Sequence, residues 1–167
     1  MNDNLVDLEN KPKFGKSEIL LICCIVFQLI ICLMPFHYGD GLNRDELYQI
    51  AMSSNPGWGF ADVPPLAPFM LYIIRTLLGT SIFSVHLLPA ISGAFIIFLT
   101  YKMTKIFEGG FFALALAIIP VTFISSVYGS IYVYDTFDIL FWNIMIYCLL
   151  KLLKTDNKNW WIYFGIT

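Results

Sequence analysis

Residues 19–36 read ILLICCIVFQLIICLMPF, eighteen positions in which Gln28 is the only strongly polar side chain. At 1.5 Å per residue an α-helix of that length runs about 27 Å, close to the thickness of a bilayer's hydrocarbon core. In lipid the backbone amides have only one another to bond, so the stretch is read as a helix and the fold as a membrane bundle. A cleaved leader has a shorter apolar region and a small-residue cleavage site, and none follows Met34-Pro35-Phe36. Residues 19–36 are therefore taken as a retained first span.

The rest of the composition points the same way. Of 167 residues, 58% are hydrophobic and 13% charged, against roughly 25% charged in a soluble domain. Too few polar side chains remain to cover a core in water. Ten basic and twelve acidic residues leave a formal charge of −2, which offers no electrostatic footprint for nucleic acid. Cys23, Cys24, Cys32 and Cys148 all lie in apolar runs without zinc-site spacing, and buried thiols are expected. No glycine-rich phosphate loop follows a strand pattern.

Working outward from the first span, residues 1–18 carry seven charges and read as a polar cytoplasmic tail that closes on Lys11, Lys13 and Lys16. Downstream, further spans are expected at about 80–101, 111–127 and 137–153, with Pro89 and Pro120 marking kinks. Trp160-Trp161 looks like an interfacial belt opening a fifth span from about 160. Residues 19–167 are thus expected to form the N-terminal part of a larger transmembrane domain, since the chain stops inside an apolar pattern. Every lysine lies beside the tail, the second-to-third connection or the end of the fourth span. Asp40, Arg44, Asp45, Glu46, Asp62, Arg75, Asp135 and Asp138 lie on the opposite side. The positive-inside rule then puts the N terminus in the cytoplasm and the long loop at about 37–79 outside.

That loop is long enough to hold structure of its own. Asn43 and Glu46 read as a capping box opening a helix on which Leu47, Ile50 and Ala51 share a face. Gly57-Trp58-Gly59 breaks it. Asp62-Val63-Pro64-Pro65 starts a second helix in which Leu66, Phe69, Met70, Ile73 and Leu77 form a stripe, until Gly79 ends it. Both helices are expected to lie in the membrane interface, with the stripe toward lipid.

Taken in order, Asn-Arg-Asp-Glu-Leu-Tyr at 43–48, Trp58 to Leu66, Val85-His86-Leu87-Leu88-Pro89-Ala90, and Tyr134-Asp135-Thr136-Phe137-Asp138 with Phe141-Trp142 resemble the polyprenyl-phosphate-sugar-dependent glycosyltransferases. These form the GT-C membrane superfamily, which includes the protein mannosyltransferases and aminoarabinose transferases of glycosyltransferase family 39. The resemblance spans roughly Leu42 to Trp161. It implies an all-α polytopic GT-C-type bundle with amphipathic helices in the first extracytoplasmic loop, set in the cell membrane. It also implies transfer, with inversion, of a sugar from a polyprenyl-phosphate-linked donor to a lipid, glycan or protein hydroxyl, or to a lipid phosphate. Membrane lipids are the other expected partners. The present segment alone is expected to be inactive, because a donor groove and most cations for the leaving phosphate are not in it.

Residue by residue, the resemblance makes Asp45 and Glu46 catalytic. Chemistry agrees independently, since transfer to a hydroxyl needs a base beside the acceptor. The alternatives are local: Asp45 as a first-turn partner of the helix dipole, Glu46 as a cap. Asp135, Arg44 and Asp138 are expected to bind substrate or phosphate, although Asp135 and Asp138 could equally serve the start of the fourth span. Asp62 is a candidate ligand for a divalent metal, or a helix cap. Related lipid-modifying enzymes often carry lysine where Val63 stands here, so phosphate contact from that position is not expected. His37 and His86 share no metal-ligand spacing, and His86 reads as a hydrogen-bonded core histidine. Arg75 is expected to meet lipid headgroups. The rival to an enzyme is a non-enzymatic membrane assembly or transporter subunit.

Overall fold

The computed structural model describes residues 15–34, 41–155 and 157–166, and among these the regular elements are all helices, with no strand. The helices are α1 (Lys16–Leu33), α2 (Arg44–Ser53), α3 (Leu66–Leu78), α4 (Ile82–Ile106), α5 (Phe111–Gly129), α6 (Tyr134–Lys154) and α7 (Asn159–Ile166). Residues 1–14 of the expected tail, the Pro35-Phe36 end of the first span, His37 and Asp40 lie outside the described residues.

Four helices, α1, α4, α5 and α6, are long and apolar enough to cross a membrane. The apolar window of α4 is 56% buried, against 22% for α1, 28% for α5 and 17% for α6. The other three therefore pack around α4 and turn most of their apolar surface outward. α1 shows the consequence along Ile19, Ile22, Val26 and Ile30, all exposed, a periodicity that leaves one face for lipid. The cysteines divide accordingly and correct the expectation of four buried thiols. Cys32 and Cys148 are buried, Cys24 is half-buried and Cys23 is exposed on the outward side of α1.

The inward side of α1 carries Leu21, Gln28 and Cys32. Leu21 packs with Ile97, Leu114 and Ile118 of α4 and α5. Nearer the other end, the Gln28 amide donates to Ala90 O at 3.2 Å and to Cys32 Sγ at 3.1 Å. It fits there because Gly93 and Gly129 lack side chains; a Cβ on either would come within 2.6–2.7 Å of the Gln28 nitrogen. Small residues that let membrane helices approach, with a polar side chain bonded across them, are the usual means of association in lipid. α4 and α5 run through Pro89 and Pro120 without interruption.

Span boundaries shift for local reasons. α4 continues past Tyr101 to Ile106 because Lys102 and Lys105 lay their ammonium groups over the Phe98 and Tyr101 rings, at 5.4 and 5.6 Å. α6 begins at Tyr134, ahead of the expected 137, so Asp135 falls in its first turn.

The two loop helices dock on one end of the bundle. Ala67 and Leu71 of α3 join Val85 of α4, Tyr132 and Phe137 in a second apolar cluster. The Tyr132 hydroxyl donates to Ala67 O at 2.7 Å. Leu66, Phe69 and Leu77 of the expected stripe stay exposed on the far side of α3, the arrangement expected of a lipid-facing surface helix.

Candidate active site

α2 is built from a local signal. Asn43 takes an extended conformation and its amide donates to Glu46 Oε2 at 2.8 Å, closing the capping box. A helix started there turns Glu46, Gln49, Met52 and Ser53 inward and leaves Leu47, Tyr48 and Ala51 outside. The face that packs against the protein is thus largely polar. α3 and the bundle supply the partners that a polar face needs.

Glu46 is the centre of that packing. Its side chain is fully enclosed, and its carboxylate draws on three separate segments. Oε1 accepts the backbone N–H of Tyr132 at 2.8 Å and lies 2.5 Å from Nε2 of His86 on α4, while Oε2 holds the Asn43 amide. Burial raises the proton affinity of Glu46, but the bonds from His86, Tyr132 and Asn43 outweigh it. The carboxyl is held below its usual 4.5. His86, paired with Glu46 in this way, is the hydrogen-bonded core histidine expected.

Asp45, one residue earlier, faces the other way. Its side chain is 67% exposed and lies 3.5 Å from the guanidinium of Arg44, itself 95% exposed. Both border a groove of about 380 Å³ whose opposite wall is Val127, Tyr128, Ile131 and Val133, from the end of α5 and the turn into α6. Asp135 and Asp138 are exposed on the first turns of α6, just beyond Val133. Tyr128 is a wall residue that sequence reading did not single out; the run of Tyr128, Tyr132 and Tyr134 at the end of the third span was its only signal.

Asp62 accepts the Tyr48 hydroxyl on both oxygens, at 2.8 and 3.0 Å, tying α2 to the segment before α3. That bond raises the proton affinity of Tyr48 above its usual range. Among the described residues no group of three or more His, Cys, Asp or Glu side chains is placed to hold a metal ion. Arg75, expected to meet lipid headgroups, also bonds within the protein. Its Nη1 donates to Ile50 O at 2.9 Å and Ser53 Oγ at 2.6 Å, and its Nε to Thr80 Oγ1 at 2.9 Å. The cation thereby satisfies the carbonyl end of α2, where a positive charge is favoured.

Over residues 62–167 the sequence matches the family described as dolichyl-phosphate-mannose-protein mannosyltransferase. The matched segment contains Asp62, His86, Tyr132 and Asp135, and starts after Asp45 and Glu46. No curated protein and no solved structure matches the chain.

Proposed function

Given that the chain belongs to the dolichyl-phosphate-mannose-protein mannosyltransferase family, and so to a class of integral membrane glycosyltransferases, we propose that Asp45 is its general base. The observation that carries this reading is the contrast between Asp45, exposed on the rim of a groove beside Arg44, and Glu46, enclosed and fully committed to its neighbours. A base must reach a proton on substrate. Asp45 can do so; Glu46 acts as a positioning residue that fixes the first turn of α2, and with it Asp45, to α4 and to the turn before α6.

In the proposed reaction a hydroxyl of a lipid, glycan or protein acceptor enters the groove and attacks the anomeric carbon of a polyprenyl-phosphate-linked sugar. Asp45 takes the hydroxyl proton. The bond from the anomeric carbon to the phosphate oxygen breaks, its electron pair leaves with the polyprenyl phosphate, and the single displacement inverts the sugar carbon. Arg44 offsets the charge gathering on the leaving phosphate, the kind of term that dominates many such reactions. Asp135 and Asp138 contribute substrate contacts from α6. Asp62, which also accepts the Tyr48 hydroxyl, is the residue that would hold a divalent cation, and such an ion would supply positive charge against the donor phosphate. The groove faces the extracytoplasmic side of the cell membrane, with the N terminus in the cytoplasm. Family membership favours this reading over a non-enzymatic assembly subunit.

The test is Asp45→Asn in the native full-length protein, reconstituted in lipid with an undecaprenyl-phosphate sugar. Because Asp45 is exposed, thermal unfolding should stay unchanged while turnover falls by at least about 10², the order that loss of a general base costs. Full activity in that variant rules the assignment out.

A further inference from the structure

α7 folds back on α6 and stands off from α4. The gap between them is a hollow of about 600 Å³ at the end of the bundle remote from Asp45, a size common among small-molecule sites. Phe95, Phe98 and Leu99 of α4 form one wall, and Ile144 and Tyr147 of α6 the other. Trp160 of α7 closes it, its ring 6.0 Å from that of Tyr147 and nearly perpendicular to it. Phe95 is 43% exposed, so the hollow opens sideways, where lipid chains lie.

Its rim is charged. Lys102 Nζ lies 5.4 Å from the centre of the Phe98 ring, and Lys151 Nζ 5.9 Å from that of Tyr147. Each ammonium thus stands over a ring that lines the hollow, about one helical turn beyond it. α4 and α6 are separated by a single span and run in the same direction, which brings both lysines to the same end. Among the described residues neither ammonium meets a carboxylate. Lys105 is directed elsewhere, over Tyr101, whose hydroxyl donates to Glu18 of α1 at 2.8 Å.

Two uncompensated cations above an apolar recess that opens to the bilayer suit a ligand with an anion at one end and hydrocarbon at the other. Lysines at the ends of membrane helices ordinarily extend toward water and headgroups. Here two of them, from different spans, are drawn onto rings of one hollow, where a cation is attracted to the ring face. A soluble phosphate would leave the apolar walls uncovered, and a zwitterionic lipid brings a cation of its own against the two lysines. We propose that the hollow between α4, α6 and α7 holds an anionic diacyl phospholipid, with its phosphate between Lys102 and Lys151 and one acyl chain against Phe95, Phe98 and Ile144. In the orientation proposed above it belongs to the cytoplasmic leaflet. The site does not depend on the transferase reading, since it lies at the opposite end of the bundle from the Asp45 groove.

Native mass spectrometry tests this by titrating the native full-length protein in detergent with dioleoyl phosphatidylglycerol and, separately, with dioleoyl phosphatidylcholine. A lysine beside anionic lipid is worth about fivefold in affinity, so the first phosphatidylglycerol should bind at least about tenfold more tightly than phosphatidylcholine. Lys102→Gln and Lys151→Gln should each lower that preference about fivefold, while Lys151→Arg, which keeps the charge, should retain it. Lys154→Gln and Lys158→Gln remove the same charge from positions that do not line the hollow, and the preference should stay within about twofold of the native value. Equal binding of the two lipids would overturn the proposal. So would a loss in Lys154→Gln or Lys158→Gln as large as that in Lys102→Gln and Lys151→Gln, which would mark a diffuse surface charge in place of a site. Glycerol 3-phosphate, the head without the chains, should not compete; equal competition would show that the apolar walls contribute nothing and would overturn the lipid assignment.

Discussion

Asp45 and Glu46 are neighbours in sequence, and a helix rotates successive side chains by about 100°. One can therefore face the protein while the other faces a groove. The buried member has a consequence that can be measured. The carboxyl of Glu46 is held below the 4.5 it has when free, so the folded state is favoured wherever the unfolded chain would bind the proton more readily. Its stabilisation is fully present above about pH 4.5 and is lost as pH falls from there through the lower folded value. Thermal unfolding followed from pH 7 to pH 3 should show a steep drop below 4.5 in the native protein and a flatter profile in Glu46→Gln. Removing the group altogether, in Glu46→Ala, should cost about 3–5 kcal/mol, the range for breaking a buried pair from one side. An unchanged pH profile in Glu46→Gln would show that the carboxyl does not act this way. The Asn43 half of this site was legible in the sequence because its signal lies within one helical turn. His86 and Tyr132 were not, since they come from 40 and 86 residues away and no local pattern records such a pairing.

Elements carry a different kind of information. Periodicity located α2 and α3 and showed which residues share a face, but not which face turns inward. In water the apolar face is buried by default; beside a membrane it has lipid to meet, and α2 packs through its polar side instead. Arg75 illustrates the same limit, because a cation in the last turn of α3 gives no sign that its nitrogens will close the end of α2. Helix ends were read more reliably where backbone chemistry dictates them. Gly79 stops α3 at φ 75 and ψ −179, a region open almost only to glycine; Ser81, which the sequence reading did not single out, then caps α4 by accepting from the Ser84 amide at 3.1 Å. Gly79→Ala should destabilise the protein by about 1–3 kcal/mol through backbone strain alone, since no atom lies within 4 Å of the added Cβ. A thermal unfolding midpoint equal to that of the native protein would contradict this.

At the scale of the molecule, the spans were the most legible feature, because an apolar run of bilayer length has few other uses. Their ends drifted where lysine stems could extend a helix over aromatic rings, as at Lys102 and Lys105. The orientation proposed from charge placement can also be checked. Cysteines introduced singly as Asn55→Cys and Asn157→Cys should behave oppositely toward an impermeant maleimide in intact cells. Position 55 should label directly and position 157 only after the membrane is opened; the reverse pattern would invert the topology and move the Asp45 groove to the cytoplasmic side.

The long reach of Glu46 also bears on how the chain is made. At synthesis rates of about 5–20 residues per second, the 86 residues that separate Glu46 from Tyr132 take roughly 4 to 17 s to appear. Over that interval the first loop has been translated, but part of its permanent hydrogen-bonding environment does not yet exist. Glu46 must wait in water or at the headgroups until α4 has delivered His86 and the turn into α6 has delivered the Tyr132 amide. The groove beside Asp45 is consequently among the last parts of this segment to form, after the helices that frame it have entered the bilayer.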